Sequence, residues 1–175
     1  MERFYRKYIR KKSLKKEYRG EYKENFMIKN IIKMIIPGYF ISKKIYYRYK
    51  LSNFLYKHGL NILSQICTYR LYKKYNCCIS GKAVIGKNVE FPHPVGIVIG
   101  EGVKIGDNCV IYQNVTLGRK NRDIADYPTI GNDVIIYCNS TVIGNVKIGD
   151  NSIIGCNTVV MKSVEKNSVC IGVVK

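Results

Sequence analysis

The chain has 175 residues, of which 46% are hydrophobic and 24% charged, and its formal net charge at pH 7 is +18. This length fits one compact domain with an extension, and the presence of only two histidines excludes metal sites built from several histidines. The charge is uneven, because residues 1–78 carry 20 basic and 4 acidic side chains, whereas residues 79–175 carry 10 and 8.

Residues 1–24 are predicted to form a basic, tyrosine-rich tail. A basic run of this kind is typical either of a solvated tail or of a segment that contacts an anionic membrane surface, and both interpretations stay open. We do not expect a nucleic-acid partner. If the tail were the functional part, the protein would be a non-catalytic basic binding scaffold.

Residues 25–76 are predicted to be α-helical. The apolar run at residues 25–41 contains Lys29 and Lys33 and is too short and too charged to span a bilayer. Packing in the protein core, or a position at the membrane interface, therefore fits this run better than a membrane-spanning helix. Two more helices are predicted near residues 43–56 and 61–75, where they would cover the open end of the following domain. The N-terminus lacks the pattern of a signal peptide, so we expect a cytoplasmic protein that is at most peripheral at the inner face of the membrane.

Residues 77–175 repeat aliphatic side chains every sixth position. Side chains six residues apart would point in different directions around an α-helix. They point to the same inward position when short strands alternate with turns, so the period of six predicts a parallel β-helix. The triplets that begin at Gly86, Gly106, Gly131 and Gly149 end in Asn or Asp, the residues that best tolerate left-handed turns. In one register the aliphatic positions are Ile99, Ile105, Ile111, Leu117, Ile130, Ile136, Val142, Ile148, Ile154 and Val160.

Two motifs in this domain are fairly specific: HPVGIVIGE at residues 93–101 and QNVTLG at residues 113–118. Together with the helix-like segment at residues 49–59, they resemble the serine acetyltransferase branch of the hexapeptide-repeat acyltransferases. The resemblance implies a left-handed β-helix with three flat faces behind an α-helical region. It also implies acetyl transfer from acetyl-CoA without a metal, by a homotrimer whose sites lie between adjacent subunits.

The one histidine of the repeat domain is the candidate general base. Taking the proton of an acceptor hydroxyl requires a side chain that titrates near neutrality, and histidine does so. His93 lies where the hexad pattern slips by two residues, so the local backbone can direct it outward. An isolated histidine is more often a surface or packed residue than a catalytic one, but the surrounding motif favours the catalytic interpretation.

The resemblance implies roles for further residues, each of which could instead be an ordinary coil residue. The backbone N–H of Gly118 is the candidate oxyanion donor. Apart from the resemblance, amide and aromatic groups suit a sugar hydroxyl, which makes Gln113 and Tyr127 candidates for contact with such an acceptor. Glu101 is a further candidate, and Gln113 and Asn114 could also form a turn ladder. The candidate residues along the pantetheine arm of acetyl-CoA are Tyr137, Cys138, Gly155 and Cys156.

Four positions depart from the serine acetyltransferase pattern. Pro92 and Cys78 stand where that family has carboxylates that support the base, and Asp126 and Tyr127 stand where its external loop has Arg and His. Because groups that would anchor an amino acid are missing, we predict a sugar hydroxyl of surface-polysaccharide biosynthesis as the acceptor. The alternative is serine O-acetyltransferase activity in cysteine biosynthesis.

Seven cysteines occur without any CxxC spacing, which speaks against a cysteine-based metal site. We expect most of them to be small buried hydrophobic residues.

Overall fold

The computed structural model describes residues 37–121 and 123–175, so the basic tail predicted at residues 1–24 and most of the apolar run lie outside the described residues. Helix α1 spans Pro37–Lys57 and helix α2 spans Asn61–Tyr75. Both helices occur where the sequence predicts them, and α1 begins earlier than expected. Neither of these two described helices is long and apolar enough to cross a lipid bilayer.

The rest of the described chain consists of short strands that pair in parallel and form three faces of a prism. Face 1 contains β1 (Cys78–Ile79), β3 (Val98–Ile99), β6 (Thr116–Gly118), β9 (Thr141–Ile143), β12 (Val159–Val160) and β14 (Val173–Val174). Face 2 contains β2 (Val84–Ile85), β4 (Lys104–Ile105), β7 (Thr129–Ile130) and β10 (Lys147–Ile148). Face 3 contains β5 (Val110–Ile111), β8 (Ile135–Ile136), β11 (Ile153–Ile154) and β13 (Val169–Cys170). The predicted fold class, a left-handed parallel β-helix behind an α-helical region, is confirmed.

The hexad positions fill the interior of the prism. All ten predicted aliphatic side chains, from Ile99 to Val160, are at most 3% exposed. Burying an aliphatic side chain of this size stabilises a fold by about 1.5–3 kcal/mol. The repeated burial of one aliphatic residue per strand therefore explains why such short strands hold together.

The corners of the prism turn through residues with left-handed backbone conformation. Asn88, Asn108, Asp133 and Asn151 all have φ between 54° and 58°, as their GlyLysAsn, GlyAspAsn and GlyAsnAsp contexts predict. Asn and Asp tolerate this conformation better than most residues do.

Two coils are longer than the regular repeat. Ile99 pairs with Leu117 eighteen residues later, but Ile79 pairs with Ile99 twenty residues later. The two extra residues lie in the segment between Phe91 and Ile97 that contains His93. A larger insertion follows β6, since Leu117 pairs with Val142 across twenty-five residues.

The two helices pack against the first coil, as predicted. The Tyr49 hydroxyl donates a hydrogen bond to the carbonyl of Ala83 at 2.7 Å and accepts one from the N–H of Ile85 at 3.0 Å. The Asn53 amide donates to the carbonyl of Gly81 at 2.7 Å. Because burial raises the pKa of Tyr49 to about 12, its hydroxyl stays protonated and available as a donor.

Replacing Tyr49 by Phe should lower the free energy of unfolding by about 1–3 kcal/mol, because it leaves the buried N–H of Ile85 without its partner. It also removes one of the two side-chain donors to the Ala83 carbonyl, which keeps its bond from the Asn53 amide. Urea denaturation at fixed protein concentration measures the change. Tyr47→Phe is the matched control, since Tyr47 is 65% exposed, and it should change stability by less than about 0.5 kcal/mol. Equal effects of the two substitutions would contradict this role of the Tyr49 hydroxyl.

Candidate active site

One corner of the prism, which joins face 3 to face 1, carries three rings in a row. We call it the histidine edge; it comprises residues 92–96, 112–115, 137–140 and 155–158. The ring centroids of His93 and Tyr112 lie 6.3 Å apart. Tyr112 and Tyr137 stack with centroids 5.1 Å apart and planes inclined by 19°. The histidine therefore stands at the end of an aromatic row that runs across successive coils.

His93 is exposed and lies in the two-residue insertion of the first coil. Prolines on both sides, Pro92 and Pro94, restrict the backbone at this turn. The carbonyl of His93 accepts a hydrogen bond from the N–H of Val95 at 2.8 Å, which tightens the turn further. Within residues 37–121 and 123–175, no side chain forms a hydrogen bond or ion pair with the imidazole. The ring is thus held by backbone geometry and remains open to a ligand.

The four residues predicted to line the cofactor lie on the same edge as His93. Tyr137 and Cys138 follow β8, and Gly155 and Cys156 follow β11 one coil later. Partial burial, followed by the neighbouring Tyr112, raises the pKa of the Tyr137 hydroxyl above its ordinary value. The structure therefore places the candidate base and the candidate cofactor residues on the same edge.

Gln113 and Asn114 differ in what their side chains do. The Asn114 amide donates a hydrogen bond to Asn139 Oδ1 on the next coil at 3.0 Å, which makes it part of a turn ladder. The Gln113 Oε1 atom is buried and has no hydrogen-bond partner among the described residues. Leaving such an atom unpaired costs about 1–3 kcal/mol, so Gln113 is the residue of the two that is suited to a ligand.

The remaining predicted site residues lie at the opposite end of face 1, on the corner that joins it to face 2. We call this the loop edge; it comprises residues 80–83, 100–103, 118–128 and 144–146. Gly118 ends β6 there and pairs with Ile143. A single chain therefore does not bring Gly118, Glu101 or Tyr127 together with His93 on one edge.

Glu101 and Tyr127 interact on the loop edge. Lys82 Nζ lies 2.8 Å from Glu101 Oε2, and the Tyr127 hydroxyl donates to Glu101 Oε1 at 3.3 Å. The hydrogen bond and charge of Lys82 lower the pKa of Glu101 below its ordinary value. The Tyr127 ring packs over Gly100 and Gly102, where an added Cβ would collide with it. This packing fixes the C-terminal end of the loop.

A groove of about 690 Å³ lies between α2 and the loop edge. Hydroxyl, amide and tyrosine side chains provide most of its lining, and Glu101 and Lys82 stand at one side. Its lining residues are Tyr56, Asn61, Ser64, Gln65, Thr68, Tyr69, Tyr72, Cys78, Ser80, Gly81, Lys82 and Glu101. Such a surface suits a neutral, hydroxyl-rich molecule.

Sequence reasoning missed two residues of this region. Tyr112 bridges the rings of His93 and Tyr137, and the repeated Ile-Tyr pairs at residues 111–112 and 136–137 could have indicated the row. Lys82 pairs with Glu101 across neighbouring coils, nineteen residues away, and no local pattern in the sequence signals that contact.

The expectation that most cysteines are buried is wrong. Only Cys77 and Cys109 are fully buried, and burial raises the pKa of Cys109 to about 11. Most of the other cysteines lie at outward-facing positions on strands and corners, where solvent reaches them. Among the described residues, no group of three His, Cys, Asp or Glu side chains could hold a metal ion.

The chain was compared with known proteins. Residues 127–162 match the family described as bacterial transferase hexapeptide (six repeats). Serine acetyltransferase of Buchnera aphidicola is 33% identical over 127 residues, which are 71% of this chain and 46% of that protein.

Solved structures give the same result. Serine acetyltransferase isoform 3 of Entamoeba histolytica, in complex with cysteine, is 30% identical with a TM-score of 0.69, over 73% of this chain and 46% of that one. Serine acetyltransferase of Brucella abortus, in complex with coenzyme A, is 28% identical with a TM-score of 0.68. The match covers 71% of this chain and 51% of that one. The chain thus spans about half the length of the proteins it matches.

Proposed function

Because the described solenoid is a hexapeptide-repeat β-helix of the serine acetyltransferase-like branch, we propose that the chain is an acetyl-CoA-dependent O-acetyltransferase with His93 as general base. The observation that carries this proposal is the exposed imidazole of His93 in the insertion at the histidine edge. The Oε1 atom of Gln113 on the same edge supports it, since this buried acceptor has no hydrogen-bond partner among the described residues.

The chemistry is an acyl transfer from a thioester to an alcohol. His93 removes the proton of the acceptor hydroxyl while the hydroxyl oxygen attacks the thioester carbonyl carbon. The tetrahedral intermediate then expels the CoA thiolate, which takes up the proton, and an acetyl ester remains. Backbone N–H groups can stabilise the oxyanion of this intermediate, and Gly118 is the candidate donor.

Acetyl-CoA supplies the acetyl group. The histidine edge suits its pantetheine arm because the edge offers the ring of Tyr137, the thiols of Cys138 and Cys156, and a glycine without a side chain at Gly155. The complex of the Brucella abortus relative with coenzyme A supports acetyl-CoA as the donor.

The separation of the histidine edge from the loop edge supports an oligomer. If Gly118, Glu101 and Tyr127 take part in the reaction, they must come from a second chain that places its loop edge beside His93. We propose a homotrimer with one such contact per chain, as the resemblance implies. The contact of the basic N-terminal part with an anionic surface stays a prediction.

L-Serine is the acceptor that the comparisons favour, and they lend no support to the predicted role in polysaccharide biosynthesis. A second candidate, a neutral sugar hydroxyl, is favoured by the groove beside α2, which is lined mainly by tyrosines, hydroxyls and amides. It is also favoured by Asp126 and Tyr127, which lack the positive charge that Arg and His can offer to a carboxylate.

His93→Ala should reduce turnover about 10²- to 10⁴-fold, the contribution expected of a positioned general base. A reduction near the lower end of this range is expected, because no described carboxylate orients the imidazole. Thiol release from acetyl-CoA measures turnover, and acetyl-CoA affinity should stay near normal. His58→Ala is the matched control, since His58 follows α1 and its ring contacts Phe54 rather than the rings of the histidine edge. Unchanged turnover in the His93 variant would remove this residue from the mechanism.

L-Serine should be acetylated with a high KM, because burying its carboxylate and ammonium without charged partners is costly. The measurement compares kcat/KM for L-serine with kcat/KM for a panel of mono- and oligosaccharides. Thiol release with sugars but not with serine would show that the acceptor is a sugar hydroxyl, the second candidate, and not serine. Thiol release with neither class would contradict both.

A further inference from the structure

Two cysteine sulfur atoms meet on the histidine edge, on successive coils. Cys138 follows Tyr137, and Cys156 follows Gly155 one coil later. Their Sγ atoms lie 3.4 Å apart, and the Cys138 thiol donates a hydrogen bond to the Cys156 sulfur. The buried thiols of Cys77 and Cys109 donate instead to main-chain carbonyls. The edge thus carries a pair of thiols in direct contact, one of them exposed to solvent.

Backbone hydrogen bonds hold the two segments that carry this pair at the spacing of neighbouring strands. The N–H of Tyr137 donates to the carbonyl of Ile154 at 2.9 Å, and the N–H of Asn157 donates to the carbonyl of Cys138 at 3.0 Å. Neighbouring strands held in this way lie about 4.8 Å apart, and disulfides form between Cα atoms about 4.4–6.8 Å apart. This spacing is compatible with a bond between the two sulfur atoms, which would shorten their separation from 3.4 Å to about 2.05 Å.

We propose that Cys138 and Cys156 form a modification site, at which a small-molecule disulfide such as oxidised glutathione converts the two thiols into an intrachain disulfide. The thiolate of the exposed Cys156 attacks one sulfur of the small disulfide and releases the first small thiol. Cys138 then loses its proton and attacks the Cys156 sulfur, and the second small thiol leaves. The two protein thiols are oxidised, and one molecule of small disulfide is reduced to two thiols.

The hydrogen bond that Cys138 donates to Cys156 fits this order of events, because it raises the pKa of Cys138 and keeps that residue protonated until the mixed disulfide has formed. Tyr137 is the described titratable side chain outside the pair that interacts with Cys156, and its phenol brings no opposing charge. The exposed sulfur is therefore the first to react, and its partner resolves the intermediate.

The test uses the full, reduced protein treated with oxidised glutathione under native conditions. Intact mass should show the loss of two hydrogen atoms without a glutathione adduct, and peptide mapping should place the bond between Cys138 and Cys156. Cys138→Ser should stop the reaction at a glutathione adduct on Cys156, and Cys156→Ser should prevent the bond. Cys67→Ser, on α2, is the matched control and should leave it intact. A stable adduct on the unsubstituted protein, or a bond to another cysteine, would overturn the proposal.

A second arm relates the thiol pair to acetyl-CoA, and only this arm rests on the proposed function. If the pantetheine arm lies along Tyr137 and Gly155, saturating acetyl-CoA should slow disulfide formation at least several-fold. Disulfide formation at an unchanged rate would leave the thiol pair established and would contradict the position proposed for the pantetheine arm. The two proposals can therefore fail separately.

Discussion

The fold depends on one repeated constraint: each short strand must bury its aliphatic hexad residue inside the prism while it pairs in parallel with the strand one coil away. Ile99, Leu117 and Val142 satisfy this in succession on face 1, and each is at most 1% exposed. Strands of two or three residues have little stability alone. The inward residue of each strand can therefore vary little, and the candidate site residues lie at the corners between the strands.

Insertions at corners leave this constraint intact. Two extra residues on the histidine edge turn His93 outward, and a longer insertion on the loop edge carries Tyr127, while the strands on both sides keep their register. Because the two insertions stand at opposite ends of face 1, one chain contains the two parts of the proposed site without joining them. The proposed trimer follows from this separation as much as from the resemblance to known proteins.

The solenoid could be predicted from the sequence because its cause is local and periodic: a buried aliphatic residue at every sixth position, and Asn or Asp where the backbone is left-handed. His93 and the two-residue insertion around it could be recognised in the sequence for the same reason. Contacts between coils could not be predicted in this way. Lys82 meets Glu101, and Cys138 meets Cys156, only because stacking places residues eighteen or nineteen positions apart side by side. The exposed thiols show that hydrophobic character alone does not decide burial at a corner.

The most direct measurement is a crystal structure of the full chain with bound CoA. The pantetheine arm should lie along Tyr137 and Gly155 of one protomer with its sulfur directed toward His93, and the loop edge of a neighbouring protomer should complete the site. CoA bound away from the histidine edge, or bound there in a monomer whose loop edge stays in solvent, would contradict the proposed active site.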